Sequence, residues 1–233
     1  MILLELITDM EGEIKMAAKL ITMLTHNDVT SPDSMDIFMK AKEAPCEYWG
    51  FKDVGVTEDE MKRLVYTMKE YGKTVFMESL AFGYDATMKS TELAVRIGVD
   101  YLLGGTYYRS IGEFAADNGL RISPFIGLRH DGHLYGDLDE LVAEAVERDK
   151  GLVYGINITA YRYDGNSGDL IKRVVASCQK PVSIAGSINS NERLKAVKST
   201  NCWAFTIGGA FFENKFGEGF AEQIENVVNF LER

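Results

Sequence analysis

Short apolar runs alternate with longer amphipathic stretches along almost the whole chain, and the alternation repeats eight times. Apolar runs that break at glycine or polar residues and lead into helix-spaced stretches are the pattern of βα units on a parallel sheet. The runs are 20–25, 47–52, 74–79, 101–103, 121–126, 152–158, 181–185 and 202–207. The helical stretches between and after them are 31–44, 58–71, 86–97, 110–118, 138–149, 168–177, 190–198 and 219–231. Thr57 and Glu60 have capping-box spacing at the start of the second stretch, and Pro32 suits the first turn of the first. Eight strands and eight helices in strict alternation predict an α/β fold, a single-domain (β/α)8 TIM barrel over 1–233. The chain's 233 residues fit the length of about 250 that such a barrel uses. An open doubly wound sheet is the competing arrangement, and it usually has fewer strands. In 1–18, Leu3, Leu4, Ile7, Met10, Ile14 and Ala17 recur near helical spacing, so an extra N-terminal helix is expected there, with Gly12 against it.

The last two units carry the clearest chemistry. In Val182-Ser183-Ile184-Ala185-Gly186-Ser187-Ile188-Asn189-Ser190-Asn191-Glu192 an apolar strand runs into Gly186-Ser187 and then into a helix, with Asn189 and Glu192 spaced as a capping box. In Ala204-Phe205-Thr206-Ile207-Gly208-Gly209-Ala210-Phe211-Phe212 a strand breaks at paired glycines and enters one short helical turn. Glycine lets a ligand approach the backbone, and N–H groups at a helix start favour an anion. Barrels of this type often hold phosphate between the loops after strands seven and eight. Gly186, Ser187, Gly208, Gly209 and Ala210 are therefore the candidate phosphate grip.

These two segments, "SIAGSINSNERL" and "AFTIGGAFF", resemble the phosphate grip of the ribulose-phosphate-binding barrel superfamily. That group includes phosphoribosyl isomerases, thiamine-phosphate synthase, hexulose-phosphate synthase, ketogulonate-phosphate decarboxylase and aminosugar-phosphate epimerases. The chain as a whole is similar to a bacterial set of such barrels with "LTHND", "GFKDVG" and "SINSNERL" blocks. The resemblance implies the fold and a phosphorylated ligand, and it leaves the reaction open. The decarboxylase relatives resemble a D-x-K-x-x-D strand, whereas this chain has Gly50-Phe51-Lys52-Asp53-Val54-Gly55, so their acid array is not reproduced.

Strand parity selects the other candidates. Side chains alternate between the two faces of a strand. Trp49 and Phe51 share the outward parity, which leaves Gly50 and Lys52 facing the barrel interior. Tyr154, Ile156 and Ile158 are expected outward with Asn157 inward, and Phe205 and Ile207 outward with Thr206 inward. An inward Lys52 needs a partner, because an unpaired buried charge is costly. Glu78 ends the neighbouring strand. The pair is either a structural ion pair or an acid–base site, and Lys52 is also the best-placed Schiff-base lysine. Lys52, Glu78 and His26 are the candidate catalytic residues. Asp28, Gly105, Asn157 and Arg162 are the candidate substrate contacts, Arg162 as an anion clamp beside the grip. Asp53 has the opposite parity to Lys52 and is expected to cap the next loop. His130 and His133 form an H-x-x-H without an evident third ligand, and no metal site is assigned to them.

Composition narrows the partners. The net charge of -10 argues against non-specific nucleic-acid or anionic-membrane binding. Cys46, Cys178 and Cys202 are far apart, which fits neither a zinc site nor a disulfide framework. The N-terminus lacks a basic region of signal-peptide type, and no apolar run is long enough to span a membrane. A cytoplasmic location is expected. The partner expected is a small phosphorylated substrate, with no nucleic acid and no membrane, and a homodimer is compatible with the fold. No cofactor is expected, and a divalent metal stays open. The leading reading is an enzyme acting on a small sugar phosphate or related phosphoester, by isomerase or epimerase, aldolase or decarboxylase chemistry. The rival is a non-catalytic barrel that senses a phosphoester and signals to a partner, as one antiterminator family on this fold does through RNA.

Overall fold

A computed structural model of the chain describes residues 6–8, 14–16, 18–127 and 133–233. Eight strands form one parallel sheet: β1 (Lys19–Met23), β2 (Tyr48–Lys52), β3 (Thr74–Ser79), β4 (Tyr101–Gly104), β5 (Arg121–Ser123), β6 (Ile156–Ile158), β7 (Val182–Ile184) and β8 (Ala204–Ile207). Their order is β6-β7-β8-β1-β2-β3-β4-β5. The circle closes at a short seam. Phe125 and Asn157 form a parallel bridge, the Asn157 N–H donates to the Pro124 carbonyl at 3.0 Å, and the Tyr154 N–H donates to the Ile122 carbonyl at 2.8 Å.

The helices are α1 (Ser34–Ala41), α2 (Glu58–Glu70), α3 (Tyr84–Ile97), α4 (Arg109–Asp117), α5 (Leu138–Asp149), α6 (Ser167–Ser177), α7 (Asn191–Lys198), α8 (Gly209–Phe212) and α9 (Gly219–Glu232). The α2 capping box is formed as expected: the Glu60 N–H donates to Thr57 Oγ1, and Glu60 Oε2 accepts from the Thr57 N–H. α3 ends on Gly98 with φ 78°, a left-handed position that glycine takes without steric cost.

Two apolar layers follow from strand parity. Trp49, Phe51, Ile156, Ile158, Phe205 and Ile207 pack outward among the helices. Ile21, Met23, Tyr48, Phe76, Tyr101, Leu103 and Trp203 fill the interior. The rings of Phe76 and Tyr101 stack at 4.6 Å, and Trp203 lies within 5.2–6.1 Å of Tyr48, Phe76, Tyr101 and Tyr154. Along β2 the inward positions run Tyr48, Gly50, Lys52. Tyr48 belongs to the aromatic floor, a Cβ on Gly50 would lie 2.5 Å from Met23 Sδ, and Lys52 reaches the mouth.

Several expectations change. Leu6–Thr8 and Ile14–Met16 are strands paired antiparallel, Ile7 against Lys15, in place of an N-terminal helix. Ile7, Thr8 and Ile14 are β-branched, and their stiff χ1 favours extended backbone over the helical reading of the same apolar spacing. Strand β5 stops at Ser123 because Pro124 has no N–H for a ladder. Strand β6 begins only at Ile156, so alternation does not extend back to Tyr154. Tyr154 consequently packs inward against the aromatic floor, not outward. α1 starts at Ser34, and Pro32 lies in the turn before it. α7 is capped by Ser190, whose Oγ accepts from the Arg193 N–H, and Asn189 and Glu192 do not form a capping box.

Candidate active site

The mouth of the barrel is built first by a hairpin. Beyond β1 the chain pairs Thr25 with Thr30 and His26 with Val29 around Asn27 and Asp28. Asn27 has φ 50° and Asp28 φ 61°, two successive left-handed residues of a tight hairpin turn that Asn and Asp tolerate best after glycine. The hairpin carries His26 and Asp28 over the ends of β1, β2 and β8. Gly208 makes its close approach feasible: a Cβ there would stand 2.6 Å from Thr25 Oγ1 and 2.8 Å from the Thr25 carbonyl oxygen.

Register places Lys52 directly beside Glu78. Lys52 Nζ lies 3.2 Å from Glu78 Oε1 and donates to Asp28 Oδ1 at 2.7 Å. Arg162 also grips Asp28 with two hydrogen bonds, at 2.9 Å to the same Oδ1 and 3.1 Å to Oδ2. The Lys52 and Glu78 side chains are 5% and 9% exposed, whereas Asp28 is 46% exposed. Burial works to raise the Asp28 pKa, but hydrogen bonds from Arg162 and Lys52 and their charges outweigh it and hold the carboxyl at about 2. Burial likewise works to lower the Lys52 pKa. The Glu78 charge and the Asp28 hydrogen bond and charge overcome it, so Lys52 stays above the usual lysine range and is an ammonium at neutral pH.

The loops after β7 and β8 face this cluster. Gly186 has φ 83° and Ser187 φ 58°. The Arg162 stem lies against Gly186, at 3.4–3.5 Å from where a Cβ would sit. Arg193, on α7, braces the loop by donating to the Ser187 carbonyl and to Asn189 Oδ1, and its guanidinium lies 4.7 Å over the Tyr161 ring. Gly209 and Ala210 open the short α8, where the first N–H groups have no intrahelical acceptor. The His26 ring lies flat on Phe212 at 5.1 Å.

The ion-pair cluster, the hairpin tip and the two glycine loops line one cavity of about 290 Å3, with Arg193, Tyr161 and Phe212 outside its lining. Lys52, Glu78, His26, Asp28, Arg162, Gly186, Ser187, Gly208, Gly209 and Ala210, singled out from sequence, all border it. Gly105 and Asn157 do not. Gly105 has φ 72° and turns the chain against Thr87 of α3, so it is a turn glycine. Asn157 points into the barrel, as parity required, but is fully buried, and its Oδ1 accepts from Ser183 Oγ at 2.9 Å. Asp53 accepts from Ser90 Oγ of α3 at 2.6 Å, so it ties β2 to α3 in place of capping the loop that follows it. His133 lies away from the cavity, and His130 lies outside the described residues. Sequence reading missed Thr25, Thr159, Asn189, Thr206 and Glu213 as cavity residues. Thr206 was already inward by parity. Glu213 is one helical turn beyond Gly209, a spacing that puts it on the same face. The buried Thr159 hydroxyl has no partner among the described residues.

Comparison with known proteins bears on the fold. No protein-family model matches the chain, and no curated protein matches it in sequence. Solved structures do match. Phosphoribosylanthranilate isomerase from Thermotoga maritima is similar over 92% of this chain and 98% of its own, with a TM-score of 0.66 at 10% identity. N-acetylmannosamine-6-phosphate 2-epimerase from Clostridium perfringens gives 0.61 at 15% identity, over 82% of this chain and 86% of its own. The tryptophan synthase α-subunit from Pyrococcus furiosus gives 0.63 at 12% identity, over 94% and 97%. The fold is the (β/α)8 barrel, as the strand–helix alternation implied. Among the described residues, no helix is long and apolar enough to cross a membrane.

Proposed function

We propose that the chain is an enzyme that moves a proton next to the carbonyl of a small sugar phosphate or related phosphoester, as an isomerase or epimerase does. The observation that carries the reading is one cavity bordered by two chemically different groups: Lys52 between the carboxylates of Asp28 and Glu78, and the glycine loops at 186–187 and 208–210. The phosphate accepts hydrogen bonds from backbone N–H groups of Gly186, Ser187, Gly209 and Ala210, with the Arg162 guanidinium alongside. The carbonyl end lies toward Lys52. A carboxylate, Glu78 or Asp28, takes a proton from the carbon next to the carbonyl. The electron pair moves onto the carbonyl oxygen, where the Lys52 ammonium stabilises the negative charge. A proton passing from the neighbouring hydroxyl to the former carbonyl oxygen, with return of the carbon-bound proton to the former carbonyl carbon, isomerises the substrate; protonation of the original carbon from its opposite face by a second acid epimerises it. His26 borders the same space and is the further acid–base candidate.

The Lys52 ammonium favours this chemistry over a Schiff base, which needs a neutral amine. Named as an isomerase and an epimerase, two of the structural neighbours support a proton-transfer enzyme.

The test has two parts. Thermal unfolding with a panel of small sugar phosphates, each beside its dephosphorylated parent, identifies the ligand. One-site binding at ~100 times Kd adds about 2.7 kcal/mol. The ligand is then incubated in D2O, and carbon-bound deuterium is followed by NMR. Lys52→Met is expected to keep the phosphate-dependent shift and to lose deuterium uptake by about 10²-fold or more. Uptake at the wild-type rate in that variant would remove Lys52 from the reaction. No thermal shift with any phosphate would remove the grip.

A further inference from the structure

The two carboxylates beside Lys52 are held in different ways. Asp28 accepts three charge-assisted hydrogen bonds: Oδ1 takes one from Lys52 Nζ at 2.7 Å and one from Arg162 at 2.9 Å, and Oδ2 takes one from Arg162 at 3.1 Å. Glu78 has a single ion-pair partner among the described residues, Lys52, whose Nζ lies 3.2 Å from Oε1. They also face different spaces. A second cavity, of about 540 Å3 between α2 and α3, is lined by Asp28, Lys52 and Leu80 as well, so Asp28 borders both spaces and Glu78 borders the mouth cavity alone. Arg162, Asp28, Lys52 and Glu78 therefore form a row of alternating charge with Glu78 at its enclosed end.

The row responds differently to a proton at each carboxylate. A proton on Asp28 leaves Arg162 without an ion-pair partner among the described residues and sets two cations against a neutral acid. A proton on Glu78 leaves Lys52 paired with Asp28, and Asp28 paired with Arg162. We propose that Glu78 is the base of the proton transfer, and that Asp28 is a positioning residue that, tied down by Arg162, keeps Lys52 charged and in place while Glu78 is protonated. The inference rests on the proton-transfer reading above and assigns its two carboxylates. Glu78 takes the proton from the carbon next to the carbonyl and becomes the neutral acid. The electron pair of that C–H bond forms a carbon–carbon double bond, and the carbonyl π pair moves onto the oxygen beside Lys52. One negative charge thus passes from one neighbour of the ammonium to another, and the number of charges around Lys52 does not change. Asp28 keeps its hydrogen bonds throughout and does not touch the reacting carbon.

The experiment measures deuterium uptake from D2O as a function of pH, with a panel of triose, pentose and hexose phosphates, aldose and ketose of each. Glu78→Asp keeps the charge beside Lys52 and withdraws the carboxylate by one methylene. Its uptake is expected to fall about 10²-fold at every pH, with the alkaline limb of the profile in place. Asp28→Asn is expected to lower the maximal rate by about tenfold or less and to move the alkaline limb down by about one pH unit, because Lys52 loses an anion that keeps it charged. Glu78→Gln is the second variant, expected to lose uptake at least as far as Glu78→Asp while binding the same sugar phosphate within about threefold of wild type. Equal losses in Glu78→Asp and Asp28→Asn, or the larger loss in Asp28→Asn, would overturn the assignment. Failure of the proton-transfer reading looks different: wild type itself takes up no deuterium from any member of the panel, and Glu78 loses its role as base with it.

Discussion

Lys52 gains its character from two neighbours of unequal burial. Glu78 is as enclosed as the lysine, whereas nearly half of the Asp28 side chain meets solvent. Removing one member of a buried pair strands the other, at a cost of about 3–5 kcal/mol, and removing both is milder. Lys52→Met and Glu78→Gln are accordingly expected to be non-additive, with the double variant less destabilised than the sum by about 1–2 kcal/mol, read from urea unfolding of all four proteins. Asp28 answers to pH. Its folded pKa, about 2, is below the unfolded value of 3.8, so its contribution is complete above about pH 4 and is lost as pH falls toward 2. Solvent screening of a half-exposed group limits that contribution to roughly 1 kcal/mol. Unfolding midpoints at about pH 6 and about pH 2.5 check it: the advantage of wild type over Asp28→Asn should shrink at the lower pH. The Asp28–Arg162 contact joins residues 134 positions apart, so no local pattern announces it, although each residue was legible alone as a polar group after a strand.

At the scale of the element, the paired glycines after β8 have different tasks. Gly208 lies where the Thr25 hairpin passes, and a methyl group there meets Thr25 at 2.6–2.8 Å. At Gly209 the nearest contact for a Cβ is His26 Cδ2, at 3.8 Å, an ordinary distance. Gly208→Ala is expected to destabilise by about 1–3 kcal/mol in chemical denaturation through overpacking. Gly209→Ala should leave the unfolding midpoint within about 0.5 kcal/mol of wild type and weaken phosphate binding by crowding the cavity. If the two variants behave alike, the division of labour is wrong. Glycine doublets are visible in sequence, but which one is structural depends on a hairpin about 180 residues upstream, a non-local contact that pattern reading does not reach. Gly105 shows the converse: a glycine after a strand that lies outside the lining of the mouth cavity and turns the chain against Thr87.

For the molecule as a whole, the interior divides into an aromatic floor and a polar mouth. Trp203 contacts four of the floor rings, so Trp203→Ala is expected to cost about 3–5 kcal/mol. Thermal and urea unfolding by circular dichroism check it, and unfolding should stay a single transition if floor and mouth belong to one cooperative unit. The two cavities that meet at Asp28, Lys52 and Leu80 are a property of this scale too, since they need β1, β2 and β3 side by side.

The barrel, the inward course of Lys52, its pairing with Glu78 and the glycine loops were determined by the sequence alone. Each follows from a local rule: helix and strand periodicity, alternation along a strand, or the steric freedom of glycine. The tertiary structure decided the rest. Tyr154 lies inward because β6 starts at Ile156, four residues after its apolar run begins, and the run alone does not say where pairing begins. The N-terminal segments pair as strands although their spacing also suits a helix, because short apolar patterns serve both until a partner strand is present. Asn157 is sealed in the barrel while Arg162, five residues on, reaches Asp28 across the mouth. Parity gives a side chain its direction, but only packing against distant strands and loops determines whether the space it enters is open.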